Sequence, residues 1–381
     1  MLKVAIIGCG KIADSHASQI QRIGGCEIVA ACDQEVLMAQ QLSERFRIPR
    51  YFTNSSEMLE TARPDVVHIT TPPQSHFELG RQCLTQGCHI YVEKPFCVTA
   101  QETAGLIELA NASGLKLTAG HDDQFRHAAR RMRQLVHSGY LGGPPVHMES
   151  YYCYELGETS GYAKTLLMDK RHWVRRLPGQ LLHNIISHGI ARVAEFFTTE
   201  TPTVIAHGFV SPLLRKMGET EIIDELRVIL SEEERMTAYF SFSSQMRPAV
   251  HQFRIFGTKN GLQLDQDNET LILLRGARRT SYLEQFVPPL TFSRQYLGNF
   301  FTNLQKFLRN DFHPKAGMKY LIESFYRSIQ DDVRLPICYS EILRTARIMD
   351  AIFLQLSQQN GIRFDRPDDQ ASSLPILNAL R

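Results

Sequence analysis

Apolar residues in the first third of the chain fall into short blocks separated by stretches of helical period. Blocks at 2–7, 27–32, 65–70, 88–92 and 115–119 read as buried strands, and stretches near 11–23, 35–46, 55–61, 75–86 and 100–113 read as helices. Near-continuous apolar strands are those buried on both faces, so the alternation predicts a parallel sheet with helices on either side. The pattern changes after residue 145. Thr237-Ala238-Tyr239-Phe240-Ser241-Phe242-Ser243 alternates with period two, as a strand with one wetter face does. Runs near 145–154, 203–210, 224–231, 235–243, 251–257, 261–264 and 270–274 predict a mostly antiparallel sheet. Helices near 127–138, 179–197, 294–308, 316–329 and 340–358 would bury one of its faces. The segment from Arg366 is polar and contains proline, which predicts an extended arm or frayed end. The domains drawn on this basis are 1–122, 123–365 and a tail, 366–381.

Composition narrows the functional classes. A chain of 381 residues can build two cores, and a net charge of +2 points to neither nucleic acid nor a membrane surface as partner. No apolar run approaches the ~18 residues of a membrane span. The sequence enters a strand at residue 2, leaving no room for a signal peptide. Eight cysteines without a C-x-x-C pair suit reduced thiols in a cytoplasmic protein, with neither metal nor disulfide expected.

The first strand runs directly into Gly8-Cys9-Gly10-Lys11-Ile12-Ala13, the G-x-G-x-x-A layout of a dinucleotide-binding strand–turn–helix. Gly8 allows the tight turn, Gly10 lets the backbone approach a pyrophosphate, and Ala13 lets the helix lie close to the sheet. The N–H groups of Lys11 and Ile12 at the helix start would face phosphates. The next strand ends at Asp33, placed to accept hydrogen bonds from an adenosine ribose and to repel a 2′-phosphate. The expected cofactor is therefore NAD rather than NADP. Thr71-Pro72-Pro73, with His76 just beyond, and Glu93-Lys94-Pro95 follow later strands at the same sheet edge, where loops surround a nicotinamide. An ammonium there would hydrogen-bond a substrate hydroxyl and favour its alkoxide; the plainer alternative is a solvated loop lysine.

These motifs, in this order and spacing, resemble the Gfo/Idh/MocA family, which includes glucose–fructose oxidoreductase and inositol dehydrogenase. Ser138-Gly139-Tyr140-Leu141-Gly142 is similar to the stretch that opens that family's second domain. The resemblance implies an N-terminal Rossmann domain followed by an α/β domain with a large, open, mostly antiparallel sheet. It also implies a homodimer or homotetramer built through that sheet, and NAD-linked oxidation or reduction of sugars, sugar derivatives and cyclitols. Lys94 and His188 take the catalytic positions. Asn184 stands where the family often has aspartate, and Ala191 replaces a second aspartate. Four residues apart on one helix, Asn184 and His188 would share a face. Asp122 and Gln124 depart from the family's Asn-x-Arg-Phe, and with His183 they become candidate substrate contacts.

The stretch from Tyr151 to Arg176 is basic and aromatic. It includes Tyr152, Tyr154, Tyr162, Lys164, Lys170, Arg171, Trp173, Arg175 and Arg176. A solvated loop is one reading. The other is a substrate wall, with Tyr152 and Trp173 stacking on a sugar and Arg175 and Arg176 gripping an anionic or nucleotide-linked one. Two rivals to a dehydrogenase remain at this stage. One is a glycosidase that recycles bound NAD, suggested by Ser187-His188-Gly189; the other is a non-catalytic NAD-binding protein.

Overall fold

A computed structural model of the chain describes residues 1–154, 169–276 and 282–360. Tyr162, Lys164 and the tail from 366 lie outside the described residues. Six strands, β1 (Leu2–Ile7), β2 (Cys26–Cys32), β3 (Tyr51–Phe52), β4 (Val66–Ile69), β5 (His89–Val92) and β6 (Leu117–Ala119), form one sheet in the order β3-β2-β1-β4-β5-β6. Every pairing is parallel. This is the doubly wound order in which the chain reverses direction between β1 and β4 and ligands lie beyond the carboxyl ends of the strands. Helices α1 (Lys11–Ile20), α2 (Val36–Phe46), α3 (Ser55–Ala62), α4 (His76–Thr85) and α5 (Ala100–Ala112) connect the strands. The expected strands and helices are all present; the two-residue β3 was too short to leave a pattern.

After α6 (His127–His137), seven strands make the second sheet. They are β7 (His147–Cys153), β8 (Thr203–Phe209), β9 (Glu225–Glu232), β10 (Met236–Ser243), β11 (Val250–Phe256), β12 (Asn260–Asp265) and β13 (Thr270–Arg275), in the order β13-β12-β11-β7-β10-β9-β8. Only the central pair, β10 with β7, is parallel among those described. On β10, Ala238, Phe240 and Phe242 point into the core while Tyr239 is half exposed, the wet-face alternation expected from the sequence.

Three helices depart from expectation. The single helix over 179–197 is two, α7 (Gln180–Ile185) and α8 (Ser187–Ala194), interrupted at Ile186. A short helix, α9 (Pro212–Lys216), begins at a proline after a Ser211 cap. The helix expected over 294–308 starts earlier, as α10 (Leu283–Leu308), and contains Pro288 and Pro289. Two more helices, α11 (Ala316–Gln330) and α12 (Tyr339–Asn360), tie the domains together. Met318, Leu321, Ile322 and Phe325 of α11 belong to the core of the first sheet, so that core reaches well beyond residue 122. On α12, Ile342 joins the first core, whereas Ile352, Phe353 and Leu356 join the second. No helix among the described residues is long and apolar enough to cross a membrane.

Gly317 shows how tightly α11 seats against the loop after β6. A Cβ there would lie 2.4 Å from the Asp122 carbonyl oxygen and 3.1 Å from the Arg126 nitrogen, and neither backbone atom can swing aside. Overpacking of this kind typically costs about 1–3 kcal/mol. Gly317→Ala is therefore expected to lower the melting temperature by several degrees in calorimetry and to reduce turnover by displacing Asp122. A variant with wild-type melting temperature and rate would show that the loop yields freely.

Candidate active site

The nucleotide cleft lies at the carboxyl edge of the first sheet and has a volume of about 820 Å³. Gly8, Gly10, Asp33, Thr71 and Pro72 line it, as the sequence predicted. Gly8 sits at φ +94° against the Thr70–Thr71 backbone, where a Cβ would come within 2.8 Å. Gly10 faces open space, with nothing within 4 Å of where its Cβ would be. Ala13 is fully buried beneath the turn. The first N–H groups of α1, on Lys11 and Ile12, have no partner within the helix and are available to an anion. The Asp33 carboxylate, accepting from the Cys9 and Glu35 N–H groups at 2.7 and 2.9 Å, is fixed at the rim. An open glycine cradle, unpaired N–H groups and a fixed carboxylate together fit a dinucleotide.

The second domain roofs this cleft. A 3₁₀ turn, Trp173–Arg176, brings Trp173 and Arg176 to its wall, and Gln74 Nε2 donates to the Trp173 carbonyl at 3.0 Å. These two residues, expected as substrate contacts, thus line the nucleotide cleft. Arg175, expected as a substrate contact, forms a nearly buried ion pair with Glu219 at 2.7 Å.

Beyond the cleft, Lys94 follows β5. Its Nζ donates to the Asn184 carbonyl across the domain boundary at 2.9 Å, leaving two of its three donors for other partners. The contact uses the Asn184 backbone, and Asn184 and His188 lie on either side of the interruption at Ile186. The His188 ring lies between two carboxylates, with Nε2 3.9 Å from Asp122 Oδ1 and Nδ1 3.9 Å from Asp123 Oδ2. Both gaps are too long for hydrogen bonds but short for charge interaction. Tyr152, 5.9 Å from His188 between ring centroids, donates its hydroxyl to Asp123 at 2.9 Å. Asp122 and Asp123 thus supply the carboxylates that Asn184 and Ala191 do not. Asp123 had not been singled out, although it adjoins Asp122 in sequence.

The environment splits this acidic pair. Burial, and then the neighbouring Asp123, push Asp122 up to about 7. Burial opposes ionisation of Asp123 as well, but His188, Arg192, Arg126 and the Tyr152 hydroxyl bring it down to about 2. Burial lowers His188 to about 4, partly offset by Asp123, so its imidazole is neutral near pH 7. Burial also lowers Lys94, against the pull of Glu93, Asp122 and Asp123. Paired groups pushed apart in this way suit acid–base work. Asp122, Asp123 and His188 also lie close enough for one cation, but the Lys94 ammonium adds positive charge at the same place.

Four expected contacts have other work. His76 is buried with both ring nitrogens on carbonyl oxygens, Nε2 on Thr71 and Nδ1 on Pro95 and Phe96, so it braces the two loops against each other. Gln124 donates to Glu341 at 2.8 Å and Glu195 at 3.0 Å within the protein. His183 is buried and stacks on Phe353 with centroids 4.8 Å apart. Glu93 uses one oxygen on His16 at 2.8 Å and the other on the Lys94 N–H at 3.0 Å, both inside the protein.

Glu93 also ends a buried chain. Tyr326 Oη lies 2.8 Å from His68 Nε2, His68 Nδ1 lies 2.8 Å from His16 Nδ1, and His16 Nε2 reaches Glu93. One proton arrangement satisfies every link with both imidazoles neutral: Tyr326 donates to His68, His68 to His16, and His16 to the carboxylate. Burial holds His68 well below its usual range, in keeping with a neutral ring there. These partners are too far apart in sequence to have left a motif.

The resemblance drawn from the sequence is borne out. Residues 2–121 match the family model described as "Oxidoreductase family, NAD-binding Rossmann fold" of the Gfo/Idh/MocA group. A D-glucoside 3-dehydrogenase of Escherichia coli is 33% identical over 37% of this chain and 40% of its own length. A myo-inositol 2-dehydrogenase of Thermotoga maritima is 22% identical over 81% of this chain and 88% of its own. Among solved structures, the WlbA dehydrogenase of Bordetella pertussis, in complex with NADH and UDP-GlcNAcA, superposes with a TM-score of 0.73. It is 14% identical over 95% of this chain and 96% of that one, a likeness of fold.

The fixed Asp33 carboxylate makes the coenzyme choice testable. NAD is expected to bind more tightly than NADP by about 1–3 kcal/mol, the scale of one unmatched charge or hydrogen bond. Calorimetry with both nucleotides measures this. Equal or tighter NADP binding would mean that a cation, with Arg176 the nearest candidate on the cleft wall, compensates for Asp33.

Proposed function

We propose that this chain, whose first domain is that of the Gfo/Idh/MocA oxidoreductases, is an NAD-dependent dehydrogenase or reductase acting on a CH–OH group of a sugar, sugar derivative or cyclitol. The observation that carries the reading is the convergence of Lys94, His188, Asp122 and Asp123, with Lys94 and the acidic pair following strands β5 and β6 at the carboxyl edge of the sheet that bears the nucleotide cleft. Bound NAD would supply the hydride acceptor. Gly8, Gly10 and the start of α1 would hold its phosphates, Asp33 its ribose, and Thr71 and Pro72 its inner face.

The roles follow from charge and distance. A substrate hydroxyl between Lys94 and His188 accepts a hydrogen bond from the Lys94 ammonium, which stabilises the alkoxide as it develops. His188, neutral near pH 7, takes the hydroxyl proton. The imidazolium that results lies between the Asp122 and Asp123 carboxylates, and Tyr152 keeps Asp123 in place through its hydroxyl. In the reducing direction His188 returns the proton. The two carboxylates also present acceptors to the further hydroxyls of a polyhydroxy ring. Placing them beside the reacting carbon favours a neutral ring there over an anionic one. The pairing of Arg175 with Glu219 supports the same choice. The names of the glucoside and inositol dehydrogenase relatives favour that substrate class as well.

The glycosidase rival recycles its cofactor, so net formation of NADH from NAD and a polyol separates the two. Tight NAD binding with no turnover on any sugar or cyclitol would favour the non-catalytic rival.

Lys94→Met and His188→Ala are each expected to lower kcat by roughly 10²–10⁴ while NAD affinity stays nearly unchanged. If His188→Ala keeps its kcat on a true substrate, the proton acceptor is another group.

The pH dependence is also fixed in sign. Asp122 loses its proton near pH 7, and only then can it stabilise imidazolium beside it. For oxidation, kcat/KM should therefore rise with pH through about 7, a property of the Asp122–Asp123 pair as a whole. Asp122→Asn should abolish that limb. An unchanged profile in the variant would contradict the role given to Asp122.

A further inference from the structure

The helix α10 is amphipathic in the wrong sense. Its amide-bearing face is turned to the protein and its apolar face to solvent. Gln295 accepts from the Leu273 N–H at 2.8 Å and donates to the Leu273 carbonyl at 3.1 Å. Asn299 accepts from Leu271 at 3.2 Å and donates back at 3.0 Å. Asn303 donates to the Asn268 carbonyl at 3.1 Å. The side-chain amides thus occupy the free backbone groups of the edge strand β13, much as another strand would.

The opposite face carries a heptad. Leu283, Leu290, Leu297 and Leu304 recur every seven residues, and Phe286, Phe300 and Phe307 follow three residues after a leucine. This is the 3–4 spacing of a helix that packs against another helix. Pro288 and Pro289 interrupt the ladder, so the usable stretch runs from Leu290 onward, roughly 28 Å at 1.5 Å per residue. Leu290, Leu297 and Leu304 are 52, 56 and 41% exposed, and Phe300, Phe301 and Phe307 are 57, 57 and 63% exposed.

We infer that this stripe of α10 is a self-pairing surface that binds the same stripe on a second copy of the chain. A heptad is complementary to itself, and a two-fold axis brings identical stripes together. The stripe carries no charge at either heptad position, so like copies meet without repulsion, and no acidic or basic partner would be selected. At about 200 Å² per large side chain, the six residues expose roughly 600 Å² per copy. Two copies together then bury roughly 1,200 Å², the lower end of the range for stable specific interfaces. The surface is separate from the open face of the second sheet, since α10 lies along the β13 edge.

The test uses the full-length protein and the double variant Leu297→Glu/Leu304→Glu. Both positions are exposed, and circular dichroism together with NAD binding checks that the variant is native. Sedimentation velocity at micromolar concentration should give the wild type twice the mass of the variant. The ratio holds whether or not the sheet also pairs copies. Hydrogen exchange should show α10 amides protected in the wild type and exchanging faster on dilution. Equal masses would overturn the proposal. So would α10 protection that does not change with dilution, which would mean that another segment of the same chain covers the stripe. Binding of wild type but not variant to phosphatidylcholine vesicles, with equal masses in solution, would overturn it in favour of a lipid surface.

Discussion

The carboxylate of Glu93 is nearly buried, yet it is held ionised, and much of the site depends on that. Burial alone would raise its pKa; the His16 hydrogen bond, the charge of Lys94 and the Lys94 N–H instead bring it down to about 2. A carboxylate in that position must find donors, because an unpaired buried charge costs several kcal/mol. It finds them in α1 and in the backbone of its own loop, and His16 is backed in turn by His68 of β4 and Tyr326 of α11. Three elements distant in sequence thereby fix the loop that carries Lys94. Glu93 acts on the site through the position of Lys94, whose N–H one of its oxygens holds.

The site is completed only where the two domains meet. Lys94 comes from the first sheet, His188 from α8 and the acidic pair from the loop after β6. The bond from Lys94 Nζ to the Asn184 carbonyl joins the domains at the proposed reacting centre. Carboxylates flank His188 although the helix itself supplies none, because Asp122 and Asp123 reach it from a different element. The loss of acids at 184 and 191 is therefore a change in where the charge comes from more than a loss of charge.

The fold was legible because its signals are local. Apolar blocks bounded by turn residues gave the strands of both sheets, and Gly8, Gly10 and Asp33 gave the nucleotide edge. The failures were of two physical kinds. Some residues were judged by type without knowledge of their partners: Arg175 belongs to Glu219, His76 to three carbonyl groups, and Gln124 to Glu195 and Glu341. Others act through pairings that no short window contains, such as Glu93 with His16 across 77 positions. The break at Ile186 belongs to the first kind: the helical period ran on through it, and only the packed structure shows α7 and α8 as separate. For α10 the polarity pattern was visible in part, but which face met the protein was not, and the apolar side proved to be the outer one.

The central claim is that this cleft moves a hydride between a hydroxyl-bearing carbon and NAD. The most direct measurement is isotope tracing with a cyclitol or glycoside deuterated at the reacting carbon. The account predicts net NADH carrying one deuterium per turnover on a single face of the nicotinamide ring, with a primary isotope effect on kcat or kcat/KM. Turnover with no net NADH, or with the deuterium released to water, would contradict it.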